Sequence, residues 1–190
     1  MPRITRRHLL TVVVLGALAA GCPDQPKAPA ATTILLVRHG QSWKNVPPPP
    51  ELKGDQLDAL TPKGRDEIAA VASELAGRGA KRLITSPLGR TRETAALLGA
   101  ALGLTPVVED SLATLKAGET PERALRFVRS LAGGGTVILV THGDIIAAVL
   151  GEAAKTPAAE REKKHEVPTG SWSEIALDGD LKLVRQAPPR

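Results

Sequence analysis

Residues 33–40 read Thr33-Ile34-Leu35-Leu36-Val37-Arg38-His39-Gly40, and residues 136–143 read Thr136-Val137-Ile138-Leu139-Val140-Thr141-His142-Gly143. Each is a run of branched apolar residues that gives way to a polar residue and then His-Gly. Continuous apolar runs of this length suit strands buried on both faces of a parallel sheet. In open α/β sheets, ligands bind beyond the carboxyl ends of the strands. Two histidines at two such ends can face one another across a single crevice. A lone histidine after a strand is an ordinary loop residue; the repeated arrangement, each time with glycine following, points to a site.

Outward from these two runs, the chain alternates. Thr61 can cap a helix opened by Pro62, in which Ile68, Val71, Ala72 and Leu75 recur at helical spacing and which Gly77 and Gly79 stop. A short strand is predicted over 82–85 and a second helix from Ser86-Pro87 to about Leu102. Another short strand is predicted over 105–109, and a third helix, capped by Thr120-Pro121-Glu122, ends at Gly133-Gly134-Gly135. After the second histidine comes a helix over 144–150. Residues 172–177 and 181–184 flank Asp178-Gly179-Asp180, a hairpin signal. Strands alternating with helices predict an α/β layered fold with a largely parallel sheet. No internal repeat is visible. The long non-periodic stretches, 43–58 and 153–171, have the length of functional loops, and Pro47 to Pro50 make the first a stiff rim.

With 190 residues, 42% hydrophobic and 24% charged, the chain has the composition of one globular domain with a real core. Aromatic residues make up 2%, so the core must be built from Ala, Leu, Val and Ile, and stacking platforms for nucleic-acid bases are almost absent. The net charge of +5 falls to +2 when the three arginines ahead of Cys22 are set aside, leaving 22 basic against 20 acidic residues. That near-neutral balance argues against a nucleic-acid partner.

The first residues read as an address. Arg3, Arg6 and Arg7 precede an apolar run from Leu9 to Ala20, broken only by Thr11 and the neutral Gly16. Twelve residues are too few to span a bilayer, which needs about 20, but they fit a secretory signal. The run ends Leu18-Ala19-Ala20-Gly21-Cys22, which resembles the bacterial lipobox, where the signal is cut before a cysteine that is then lipidated, palmitate being among the acyl groups. Cys22 is the single cysteine of the sequence, so a disulfide within one chain is excluded. Thr5-Arg6-Arg7-His8-Leu9-Leu10 also resembles a twin-arginine signal; paired arginines occur in ordinary signals too, and both export routes stay open. The expected organisation is a signal peptide over 1–21, a Pro/Ala-rich tether over 22–32 and a folded domain over 33–190. An exported protein anchored to a membrane through Cys22 follows as the expected location.

Four motifs in order carry a resemblance. They are Arg38-His39-Gly40-Gln41-Ser42 with Asn45; Leu60-Thr61-Pro62-Lys63-Gly64; Ser86-Pro87-Leu88-Gly89-Arg90-Thr91 with Thr94-Ala95; and Val140-Thr141-His142-Gly143. Together they resemble the histidine phosphatase superfamily, which includes phosphoglycerate mutases. The resemblance implies a three-layer α/β fold and phosphoryl transfer through a phosphohistidine on His39, with no cofactor. It implies that Arg38 and Arg90 grip phosphoryl oxygens, that His142 adds donors when protonated on the bound phosphate, and that Asn45 donates one more bond. The physical chemistry agrees. A phosphate monoester is anionic, two guanidinium groups can each hold it bidentately, and neighbouring arginines favour a neutral, nucleophilic imidazole. No HExxH or other metal pattern accompanies the histidines.

In one place the sequence departs from the family. Many members carry a glutamate, the general acid, where Asp110-Ser111-Leu112-Ala113-Thr114 puts Thr114. Glu109, Asp110, Glu119 and Asp144 are the possible substitutes. Short phosphohistidine phosphatases also lack that glutamate, and their imidazole leaving group departs readily. Activated aryl phosphates or phosphohistidine should therefore be cleaved faster than alkyl phosphates. The leading expectation is a phosphatase acting on a phosphorylated small molecule or a phosphoprotein. A mutase is the alternative within catalysis, although a mature chain of 169 residues leaves little room for the extra segments a mutase uses. A non-catalytic lipoprotein that binds phosphorylated ligands is the alternative outside it.

Overall fold

The computed structural model describes residues 30–188. The signal, Cys22 and residues 22–29 of the tether lie outside the described residues. Strand β1 (Thr32–Arg38) sends Ile34 and Leu36 to one face of the sheet and Leu35 and Val37 to the other, and all four are buried. Strand β4 (Gly135–Thr141) does the same with Val137 and Leu139 against Ile138 and Val140. Burial on both faces is what the unbroken apolar runs encode, since a half-exposed strand would alternate with polar residues.

These two strands sit in the middle of a six-stranded sheet of order β3 (Pro106–Val108), β2 (Ala80–Thr85), β4, β1, β5 (Trp172–Asp178), β6 (Asp180–Arg185). Strands β2 and β3 continue the parallel part. Strand β5 pairs antiparallel with β1, and β6 closes the hairpin with Gly179 at φ +71°. Helices α1 (Pro62–Leu75) and α2 (Gly89–Leu102) cover one face through Ile68, Val71, Leu75, Ala95 and Leu98. Helices α3 (Glu122–Ser130) and α4 (Gly143–Ala153) cover the other through Leu125, Val128, Ile146 and Val149. The result is a three-layer α/β fold with a largely parallel sheet.

Several local expectations shift. Thr32, counted with the tether on composition, is the first residue of β1, and its hydroxyl donates to the Leu131 carbonyl at 3.2 Å. Helix α2 begins at Gly89 rather than at Ser86, because the Ser86 amide is still bonded to the Val140 carbonyl at 3.0 Å as an extension of the sheet. Helix α3 has Pro121 at its cap and no side-chain capping bond. The long loops contain short helical turns, at Gly54–Asp58, at Ala158–Glu160 and in α5 (Arg161–Lys164). Among the described residues no helix is long and apolar enough to cross a membrane.

One close approach holds the loop after β1 against the start of α1. Thr61 caps α1, its hydroxyl accepting from the Gly64 amide at 3.0 Å, and its own amide donates to the Gln41 carbonyl at 2.9 Å. A methyl group on Gly64 would lie 2.0 Å from the Gln41 carbonyl oxygen, and one on Gly40 would lie 2.5 Å from the Gly64 carbonyl oxygen. Both obstacles are backbone, which cannot swing aside as a side chain can. Overpacking of this kind costs about 1–3 kcal/mol, so Gly64→Ala should lower the unfolding free energy, read from denaturant titration, by at least that amount, whereas Gly77→Ala meets no neighbouring atom, carries only the strain of a φ of +80°, and should cost less. Equal unfolding free energies for wild type and Gly64→Ala would contradict the packing described.

Candidate active site

Parallel pairing of β1 with β4 sets Arg38 opposite Thr141. The next residue on each strand is a histidine, and the two rings lie 5.4 Å apart between centroids at an angle of 59°. Both are buried, at 3% exposure each. Beyond β2, on the other side of β4, Ser86 and the first turn of α2 bring in a hydroxyl and Arg90.

The hydrogen bonds fix the tautomers. His39 Nδ1 lies 2.9 Å from the Gly40 carbonyl oxygen, which can only accept, so Nδ1 carries the proton. Its Nε2 then has a free lone pair, and Arg90 Nε donates to it at 3.1 Å. Arg90 Nη2 lies 3.1 Å from His142 Nδ1, and a guanidinium cannot accept. His142 Nδ1 is therefore the acceptor, and Nε2–H donates to Ser86 Oγ at 2.8 Å. Both imidazoles are neutral. The pKa is lowered to about 4 at His39 and to about 2 at His142, with burial the largest cause at both. The Arg90 and Arg38 charges add to the lowering at both rings, while the Gly40 carbonyl opposes it at His39. The arginines alone, as read from sequence, are thus the smaller part of the effect. The neutral His142 also means that its protonated form has to be acquired with an anion in place.

Arg90 is oriented by a residue that the sequence did not single out. Its Nη1 donates to Asp58 Oδ1, which also meets Lys44 Nζ at 3.3 Å. Burial works to raise the Asp58 pKa, but the bond and charge of Arg90, helped by Lys44, outweigh it and hold the carboxyl below its ordinary value. Gly89 leaves room for this carboxylate, since a methyl group there would come within 2.9 Å of Asp58 Oδ2. Thr94 braces the same turn, donating to the Arg90 carbonyl at 2.8 Å and accepting from the Gly40 amide at 3.1 Å.

Arg38 points across the end of β4, with Nη1 donating to the Val167 carbonyl at 2.5 Å. A methyl group on Gly143 would lie 3.2 Å from its guanidinium carbon, which accounts for glycine after the second histidine. Asn45 turns its Oδ1 to the Ser42 amide and hydroxyl, each at 2.9 Å, and so keeps Nδ2 as a donor. Arg38, His39, Asn45, Arg90 and His142 all line one open cavity of about 650 Å³. The structure thus gathers every sequence-proposed phosphoryl-site residue in one place. Cys22 lies outside the described residues.

The four substitutes considered for the missing acid fare differently. Glu109 caps a helical turn through the Ser111 amide at 2.9 Å, and Glu119 is bonded to the Lys116 amide at 2.8 Å and paired with Arg123. Neither of them, nor Asp110, lines the cavity; Asp144 does, as does Thr114 itself. Asp144 Oδ2 accepts from Thr114 Oγ1 and the Leu115 amide, both at 2.7 Å, and Oδ1 accepts from the Ile145 amide at 2.9 Å. Sequence reasoning missed two further carboxylates on the cavity wall, Glu162 and Glu166, and the basic Lys44 and Lys163 at its rim. The 153–171 segment has no periodicity, so nothing local indicated which of its side chains faces the site. Among the described residues no group of three or more His, Cys, Asp or Glu side chains is arranged to hold a metal ion.

The tautomers and the lowered pKa values have a direct readout. In a nitrogen-15 titration of the free protein, His39 should appear as the Nδ1–H form and His142 as the Nε2–H form. Both should remain neutral at pH 6, because a depressed pKa preserves the unprotonated ring down to the lowered value. Protonation of either ring near the ordinary pKa of about 6.5 would contradict the buried, guanidinium-facing environment.

The family model for the histidine phosphatase superfamily (branch 1) matches residues 34–126. The curated "Probable phosphoglycerate mutase GpmB" of Erwinia tasmaniensis is 34% identical over 92 residues, covering 48% of this chain and 42% of that protein. The chain thus matches less than half the length of that relative. Among solved structures, Bacillus stearothermophilus YhfR superposes with a TM-score of 0.70 at 22% identity, covering 84% of this chain and 98% of that one. A mycobacterial glucosyl-3-phosphoglycerate phosphatase superposes with a TM-score of 0.66 at 24% identity, covering 82% of this chain and 99% of that one. At these identities the superpositions speak to the fold. Over residues 34–126, just under half of its length, the chain is similar to the histidine phosphatase superfamily (branch 1), and it shares its fold with these solved structures.

Proposed function

We propose that the protein is a phosphatase that hydrolyses phosphorylated small molecules or phosphoproteins through a phosphohistidine on His39. The observation that carries this reading is the state of His39. The buried, neutral ring lines the cavity, with Arg90 donating to Nε2 and the Gly40 carbonyl fixing the opposite nitrogen. Attack needs a neutral imidazole held in one orientation, and both conditions are built into the backbone of the strand end.

In the first step Nε2 exchanges its bond with Arg90 for phosphorus, and the leaving oxygen departs. In the second, water attacks phosphorus from the opposite side, the N–P bond breaks, and phosphate leaves. Arg38 and Arg90 hold the phosphoryl oxygens, each charged hydrogen bond contributing about 1.5–3 kcal/mol. Charge builds on those oxygens in the transition state, where preorganised donors are most effective. His142, once it takes a proton in the field of the anion, adds another donor, and Asn45 Nδ2 a further one. The similarity to a named mutase keeps phosphoryl transfer between positions of one substrate as the second reading.

Incubation with a phosphorus-32 aryl phosphate followed by an alkaline quench should trap label on the protein. The label should be lost in acid, absent from His39→Ala, and formed equally well with chelator present, since guanidinium groups supply the positive charge. Label stable to acid, or retained by His39→Ala, would falsify the assignment; a non-catalytic binding protein would take up none.

We also propose that the domain is exported and held at a membrane by a lipid on Cys22, on the strength of the Leu18-to-Cys22 sequence. Cell fractionation should find the wild type with membranes and Cys22→Ser released from them or left unprocessed. A Cys22→Ser protein that is processed normally and stays membrane-bound would rule the anchor out.

A further inference from the structure

An alkyl phosphate needs a proton on its leaving oxygen, and Thr114 cannot give one. The carboxyls that the sequence offered in its place are either off the cavity or, for Asp144, occupied on both oxygens as acceptors. Asp144 fastens the 114–115 loop to α4. We propose that Glu166 is the general acid of this site, an assignment that rests on the phosphatase reading above.

Glu166 lines the same cavity as His39, Arg90 and His142. Its carboxyl is exposed and, among the described residues, has no hydrogen bond or ion pair to hold it away. Its backbone, by contrast, is pinned on both sides. His165 is buried, with its ring between Thr156 Oγ1 at 2.8 Å and Gln186 Oε1 at 2.7 Å. Val167 is buried, and its carbonyl takes the Arg38 guanidinium at 2.5 Å. Successive Cα atoms are about 3.8 Å apart, so Glu166 is attached one residue from an atom that touches a phosphate-gripping arginine. Glu162 also lines the cavity, but it sits on α5, a turn earlier and without such a contact beside it.

The steps balance. As Nε2–P forms and the P–O bond breaks, the carboxyl proton passes to the departing alkoxide and yields the alcohol. The resulting carboxylate then takes a proton from the water that attacks phosphorus, the N–P bond breaks with its electron pair returning to Nε2, and the acid is restored. With this donor in place, alkyl phosphomonoesters join the substrate class, reversing the expectation drawn from Thr114.

The test compares kcat/KM on glycerol phosphate and on p-nitrophenyl phosphate, whose leaving group needs little protonation. General acid help is worth about 10²–10⁴-fold, so Glu166→Gln should lower the alkyl-to-aryl ratio by about 10²-fold or more. Glu166→Asp, which keeps a carboxyl, should recover part of it, and Glu162→Gln should leave the ratio where it was. An unchanged ratio in Glu166→Gln overturns the assignment. So does a selective loss in Glu162→Gln or Asp144→Asn, or a wild type that cleaves the aryl ester and not glycerol phosphate. Absence of phosphohistidine in the wild type with the aryl ester counts instead against the phosphatase reading, which separates the two failures.

Discussion

The in-register parallel pairing of β1 with β4 is the constraint on which the rest depends. Arg38 opposite Thr141 leaves His39 and His142 as neighbours at the same edge of the sheet, with no loop to position either. Because side chains in a strand alternate with a period of two, a slip of one residue would turn Leu35 and Val37 toward the wrong core as well as separating the rings. The hydrophobic layers therefore enforce the geometry of the site: the same burial that drives folding sets the spacing of the two imidazoles.

Burial sets their chemistry too. In water an imidazole is partly protonated near neutrality, but in this sheet edge desolvation keeps both rings neutral before any charge is considered. The positive charge that an anion requires is carried by Arg38 and Arg90, which cannot be neutralised. The arrangement divides the labour between groups that must be neutral and groups that must be charged. Asp58 offsets part of that charge while fixing the direction of Arg90, so the guanidinium reaches both rings at once.

The sheet and the main helices were legible because their signals are local. Apolar runs, the Thr61-Pro62 cap and the Asp178-Gly179-Asp180 turn each act within a few residues. His39 and His142 could be read as partners only through a rule about strand ends, and Arg90 only through the motif around it, since in isolation it looks like any helix cation. The partners Asp58, Ser86 and Glu166 were not legible. Asp58 and Ser86 act through bonds to Arg90 and His142, far away in sequence, while Asp58 and Glu166 lie at the end of or within segments with no periodicity. The start of α2 was misplaced for a similar reason: proline after serine reads as a helix opening, but the competing sheet bond from Ser86 to Val140 comes from 54 residues away.

The bond between His165 and Gln186 ties the wall of the cavity to the chain just beyond β6, where the Ala187 amide also donates to Ser173 Oγ at 3.0 Å. Synthesis proceeds from the N-terminus, so Arg38, His39 and Arg90 exist long before the segment that braces Glu166 can be fastened. A nascent chain halted before Gln186 holds both strand-end histidines and the guanidinium groups, yet the wall at His165 lacks its bond to Gln186. Closure of the cavity wall therefore waits until the segment beyond β6 has docked.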